Sequence, residues 1–156
     1  MQSEPKKLLF FEDDYENLRD LREHLQAERG WQVTVTAKAD ILERLAEKAF
    51  DLIVVDLMIR PESLDADGNT VQNVHFAGVS WLRTGLEFLQ RLRMGVFVTT
   101  PGRGTAPDVP VIVLSAVANY SVEDALPNGD AITEYVEKPF LVGDLISRIE
   151  RLIQEG

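Results

Sequence analysis

The sequence predicts an α/β domain with a five-stranded parallel sheet covered by helices on both faces. Two patterns point there. Short apolar or β-branched runs alternate along the chain with amphipathic runs at helical spacing. The run "DLIVVD" (51–56) is continuously apolar between its two aspartates instead of alternating, as expected of a strand buried on both faces of a parallel sheet. The length, 156 residues, suits one domain with a substantial core.

The elements follow in order. "KLLFF" (7–11) reads as a short buried strand. "DDYENLRDLREHLQAERG" then places Leu18, Leu21 and Leu25 at helical spacing, with Asp14 as candidate N-cap and Gly30 as C-terminal stop. "WQVTVTA" (31–37) is β-branched and alternating, a strand. "DILERLAEKAF" (40–50) is a second helix with Ile41, Leu42 and Leu45 on one face. After "DLIVVD", the next clear helix is "TGLEFLQRLRM" (84–94). "PVIVLSA" (110–116) and "AITEYVEK" (131–138) are strands, and "LVGDLISRIERLIQ" (141–154) is an amphipathic helix. Between the last two strands, 117–130 contains Pro127, Asn128 and Gly129, so any helix there is short or broken. The expected domain is 1–156, with its core at 7–154. Two connections, 60–83 and 95–109, carry no clear element and are long for a compact domain.

Composition narrows the function. The net charge of −10 and the lack of any Lys/Arg run argue against direct nucleic-acid binding or a grip on anionic membrane. No apolar run approaches the ~20 residues of a membrane span, and the apolar run after Lys6–Lys7 is too short for a signal peptide. Cysteine is absent, which excludes disulfides and thiolate metal sites. The simplest location is the cytoplasm.

Ligands of open α/β sheets bind beyond the carboxyl ends of the strands. Those ends carry Glu12-Asp13-Asp14, Asp56, Ser115 and Lys138-Pro139. Taken singly, Asp56 could be a helix cap, Glu12-Asp13 a solvated helix start and Lys138 a surface turn. Their convergence on one edge of one sheet is a different matter. Three neighbouring carboxylates repel unless a cation intervenes or one takes up a proton. Mg²⁺ suits carboxylates, water and phosphate oxygens. Beside such a cation Asp56 can act as a carboxylate nucleophile and form an aspartyl-phosphate, with Lys138 neutralising the phosphoryl group and Ser115 donating to it.

With these residues in place, the sequence resembles the receiver domain of two-component response regulators. The resemblance rests on "LLFFEDD", "DLIVVDLM", "TGLEFLQRLR", "PVIVLSA" and "YVEKPF", in the family's order from about residue 7 to 153. It implies a flavodoxin-like (βα)5 fold with strand order 2-1-3-4-5. It implies Asp56 as phosphoacceptor, and Glu12, Asp13, Asp56 and the Met58 backbone carbonyl as ligands of Mg²⁺ or Mn²⁺. Lys138 and Ser115 take their catalytic roles, Pro139 is the expected cis-proline, and Ser115 and Tyr135 form the switch. The donor would be a sensor histidine kinase or a histidine phosphotransfer protein, and the output a changed surface for a downstream protein partner, with a homodimer left open. The protein would catalyse only its own Mg²⁺-dependent phosphorylation and dephosphorylation.

Three features depart from the family. Asp56 and Gly85 are separated by 28 residues, the connection before the fourth sheet strand is also long, and "VANYSVEDALPNGDA" is a poor helix on the usual signalling face. The insertion 60–83 contains "DADGN", but an EF-hand loop starting at Asp65 would need Gly at Thr70 and Glu at Phe76. Val71, Val74, Phe76, Val79 and Trp81 suggest that the insertion packs on the domain, and its two ends place it beside the site as a partner-recognition element or lid. "PGRGTAP" (101–107) reads as a flexible, turn-rich loop. His24 and His75 have no partner constellation. A dehalogenase-type phosphatase would need an acid at Met58. A phosphorylation-independent interaction module on the same fold is the alternative, with the insertions as its binding surface. The chain ends soon after its last helix, so it reads as a stand-alone receiver or as part of a longer protein.

Overall fold

A computed structural model describes residues 5–13, 15–65, 67–115 and 133–155. Its central sheet contains β1 (Lys7–Phe11), β2 (Gln32–Thr36), β3 (Leu52–Asp56), β6 (Val111–Ser115) and β7 (Thr133–Glu137). All neighbours are parallel and the order is β2-β1-β3-β6-β7. Counting sheet strands alone, this is the expected 2-1-3-4-5. The helices are α1 (Tyr15–Arg29), α2 (Asp40–Glu47), α3 (Thr84–Arg93) and α4 (Val142–Glu155). The expected weak helix at 117–130 lies outside the described residues.

Strand geometry explains why β3 is apolar throughout. Successive side chains point to opposite faces, and both faces are covered. Leu9, Phe11, Ile53, Val55, Val111 and Val113 pack under α2 and α3. Leu8, Phe10, Leu52, Val54, Ile112 and Leu114 pack under α1 and α4. The predicted apolar stripe Leu18, Leu21 and Leu25 of α1 is buried in that second layer. Helix α1 stops at Arg29, where the Gly30 N–H donates to the Gln26 carbonyl at 3.1 Å.

Helix α2 ends three residues before the predicted boundary, and the reason lies far along the chain. The Thr105 hydroxyl donates to the Lys48 carbonyl at 2.6 Å and accepts the Phe50 N–H at 3.1 Å. Lys48 is extended (φ −115°, ψ 140°), and the chain turns into β3. Gly104 makes this approach possible: its φ is +90°, and a Cβ there would lie 2.5 Å from the Leu45 carbonyl oxygen. The segment 95–109 is therefore anchored, not a free loop. Phe97 stacks against Phe88 of α3 at 5.4 Å, and Arg93 donates to the carbonyls of Pro107 and Val109.

The insertion 60–83 has structure that the sequence pattern did not reveal. Strands β4 (Glu62–Leu64) and β5 (Thr70–Gln72) form an antiparallel hairpin. Its turn involves Asp65, Asp67 and Asn69 of the "DADGN" fragment: Asp65 Oδ1 accepts the N–H groups of Asp67 and Asn69, both at 2.9 Å. After the hairpin the chain returns to the domain. The Val74 N–H donates to the Ala37 carbonyl at 2.7 Å, and Val74 and Phe76 join the layer under α2 and α3. The Arg91 guanidinium covers the Phe76 ring at 4.3 Å. A 3₁₀ turn at Trp81–Arg83 leads into α3. The Ile59 N–H donates to the Trp81 carbonyl at 3.2 Å, so the two ends of the insertion meet.

Candidate functional site

Parallel register brings the strand ends together. Phe11 of β1 pairs with Val55 of β3, and Asp56 pairs with Leu114 of β6. Glu12 and Asp13 therefore emerge beside Asp56. The oxygens that the three carboxylates offer lie within 4.8 Å of one another. From the other side Lys138, just beyond β7, reaches Asp56 Oδ2 at 2.7 Å and Glu12 Oε2 at 3.4 Å. The Lys138 N–H donates to the Ser115 carbonyl at 2.8 Å, which ties the lysine to the end of β6. The Lys138–Pro139 peptide is cis.

The setting is more enclosed than a strand end suggests. Asp56 is only 4% exposed, and Glu12, Asp13 and Ser115 are buried with it. An isolated charge at such depth is costly, so the partners decide the protonation states. Burial pushes the Glu12 carboxyl up to about 9, reinforced by its hydrogen bond to Asp56 and by the Asp56 charge. Burial also pushes Asp13 up, but hydrogen bonds from Arg60 and Glu12 and the Arg60 charge outweigh it and hold Asp13 below its usual range. For Lys138, burial pulls the ammonium down, while Asp56 and Glu12 more than compensate and raise it.

Glu12, Asp13, Asp56 and Lys138 thus form one cluster. Met58 is half-buried beside it, and its N–H donates to Asp56 Oδ1 at 3.1 Å. Ser115 ends the neighbouring strand. Tyr135 lies within β7 and is half-buried against the layer under α2 and α3. The sequence reasoning missed Arg60. Both its backbone N–H and its Nε donate to Asp13 Oδ2, at 3.1 and 2.8 Å. The one available signal was a cation immediately after the apolar run that carries Asp56.

Gly85 sets the far wall. Its N–H donates to the Leu57 carbonyl at 2.8 Å, and a Cβ would lie 2.0 Å from the Asp56 carbonyl oxygen. Glycine is the residue that lets α3 start this close to β3.

The donor set fits a hard divalent cation. Three carboxylates offer oxygen ligands within reach of one another, and burial beside Asp56 raises Glu12, as expected of crowded carboxylates.

No protein-family model matches the sequence, and neither does any curated protein. Solved structures do match in fold. The receiver domain of the Francisella response regulator 1452 is 21% identical, with a TM-score of 0.57 over 97% of this chain and 98% of that one. A response regulator from Thermotoga maritima is 18% identical, with a TM-score of 0.61 over 97% and 99%. The receiver domain of a Pseudomonas aeruginosa sensor histidine kinase, solved with a magnesium ion coordinated in its active-site cleft, is 19% identical, with a TM-score of 0.59 over 97% and 99%. The fold of this chain is that of response-regulator receiver domains.

Proposed function

From the receiver fold, we propose that this chain is a phosphoacceptor: Asp56 takes a phosphoryl group from a phosphohistidine donor on a sensor histidine kinase or phosphotransfer protein. The observation that carries the proposal is the Lys138–Asp56 contact at 2.7 Å, made to a buried aspartate with two further carboxylates alongside. An ion pair of this kind could be structural alone, but a structural pair does not need Glu12 and Asp13 crowded against it.

The geometry supports the following roles. Glu12, Asp13 and Asp56 would hold Mg²⁺ or Mn²⁺, with the Met58 carbonyl as a fourth protein ligand. That cation would supply charge neutralisation at the transferring phosphoryl group. The Met58 N–H orients the Asp56 carboxylate by holding Oδ1. An Asp56 oxygen attacks phosphorus, the donor nitrogen leaves with its bonding pair, and that nitrogen is reprotonated. Lys138, held at the site by Asp56 and Glu12, pairs with the phosphoryl charge. Ser115 donates to a phosphoryl oxygen, and Ser115 and Tyr135 relay the change to the surface that a downstream protein reads. Beyond this transfer and the hydrolysis of the resulting aspartyl-phosphate, the site performs no other chemistry in this reading.

The test is incubation of folded protein with acetyl phosphate, or with beryllofluoride, in the presence of Mg²⁺. Wild type is expected to gain one modification at Asp56 by mass spectrometry, and Asp56→Asn none. A folded wild type that stays unmodified overturns the proposal. It would favour a phosphorylation-independent interaction module, a reading that draws support from the Arg60 contact to Asp13.

A further inference from the structure

The guanidinium of Arg60 sits on a carboxylate that the proposed function needs for a cation. We propose that Arg60 is a built-in competitor for the divalent-cation site, a positioning residue that holds Asp13 until a cation displaces it and passes the exchange to the β4–β5 hairpin. The proposal rests on the phosphoacceptor reading of the same site.

Four observations carry it. The first is occupancy. Asp13 Oδ2 already accepts from the Arg60 backbone N–H and from Arg60 Nε. A divalent cation taking that oxygen meets the arginine's positive charge at contact distance and displaces the Nε. Lys138 engages the other two carboxylates, Asp56 and Glu12, and leaves Asp13 to Arg60.

The second is asymmetry. The Asp13 side chain is 6% exposed and the Arg60 side chain 58%. The acid is fixed in the wall, and the arginine can leave it. A pair with one solvated partner has a small net worth, so a cation can displace it.

The third is a route. Asp13 and Arg60 both line a cavity of about 660 Å³ that also touches Arg19, Asp40, Ser63 and Asp65. These residues come from α1, α2 and the hairpin region, so a released guanidinium has open space to enter.

The fourth is the link to the insertion. The Arg60 carbonyl accepts the Asn73 side-chain amide at 2.8 Å, and the Pro61 carbonyl accepts the Asn73 N–H at 2.9 Å. The same amide nitrogen donates to Ser63 Oγ of β4 at 2.8 Å. Asn73 is buried, so a side-chain exchange at Arg60 is felt by the residue that joins both arms of the hairpin.

The experiment is a Mg²⁺ titration by isothermal calorimetry on the 156-residue wild-type chain and its Arg60→Gln variant. The Asn73 side-chain amide is followed by NMR in both proteins. Arg60→Gln is expected to bind Mg²⁺ about two- to five-fold tighter, the scale of a pair with an exposed partner. The Asn73 amide signal should move with Mg²⁺ in wild type and much less in Arg60→Gln. Equal or weaker Mg²⁺ binding by the variant overturns the inference. If Arg60→Gln is unfolded by circular dichroism, Arg60→Met takes its place with the same two outcomes. Acetyl phosphate labelling at saturating Mg²⁺ separates the two levels. Labelled wild type with equal affinities sinks the competitor and leaves the phosphoacceptor. Wild type and variant that neither bind Mg²⁺ nor become labelled sink both.

Discussion

Glu12 carries the electrostatic tension of the site. Its carboxyl is pushed up to about 9 from an ordinary 4.5, first by burial and then by Asp56. The folded state therefore holds a proton that the unfolded chain releases across that window. Linkage fixes the sign: this contribution to stability is full below 4.5 and is lost as pH rises to about 9. We predict that the urea midpoint of metal-free protein falls across this range and that Glu12→Gln flattens the fall. At the alkaline end the variant should melt higher, by about 2–4 °C for each kcal/mol gained. Mg²⁺ should raise the wild-type midpoint there and do so less in Glu12→Gln. A steeper fall in the variant would contradict this account. Glu12, Asp13, Asp56 and Lys138 were legible in the sequence because each stands at or just beyond a strand end, where position alone implies convergence. Arg60 was not, because nothing local ties it to an acid 47 residues earlier in the chain.

Among the elements, the insertion divides into a part that belongs to the core and a part that does not. Phe76 is buried between the domain and Arg91, whereas Leu64 on the hairpin is 67% exposed. Phe76→Ala should cost about 3–5 kcal/mol by urea unfolding, and Leu64→Ser should stay within about 0.5 kcal/mol of wild type. A neutral Phe76→Ala would mean that the insertion does not contribute to the core as described. Of the five apolar residues expected to pack, Val74, Phe76 and Val79 do so, whereas Val71 lies in the hairpin and Trp81 is exposed, and the hairpin itself was hidden. Its strands have three residues each, too few for alternation to register. The early end of α2 was equally hidden, since the hydroxyl that ends it is 57 residues away.

For the whole molecule, the parallel sheet and its two covered faces followed from the alternation of runs and from the apolar run of β3, whereas the strand order came with the resemblance to receiver domains. The alternation recurs along the chain and does not depend on any one boundary. The insertion shares its buried residues with the layer under α2 and α3, so we predict one cooperative transition. The chain has two tryptophans, and Trp31→Phe leaves Trp81 as the only reporter, placed at the end of the insertion. Its fluorescence midpoint in urea should coincide with that of far-UV circular dichroism. An earlier fluorescence transition would show the insertion melting by itself. The contact between the Ile59 N–H and the Trp81 carbonyl has one more consequence. It closes the excursion where it leaves and rejoins the domain, so the span between them is topologically a cassette. Because the entropy of closing a loop grows only slowly with length, about 0.6 kcal/mol per doubling, such a cassette is a permissive graft point. A foreign turn could replace residues 65–69 with β3 and α3 held in place, which makes this a natural position for new sequence to be added beside the strand ends.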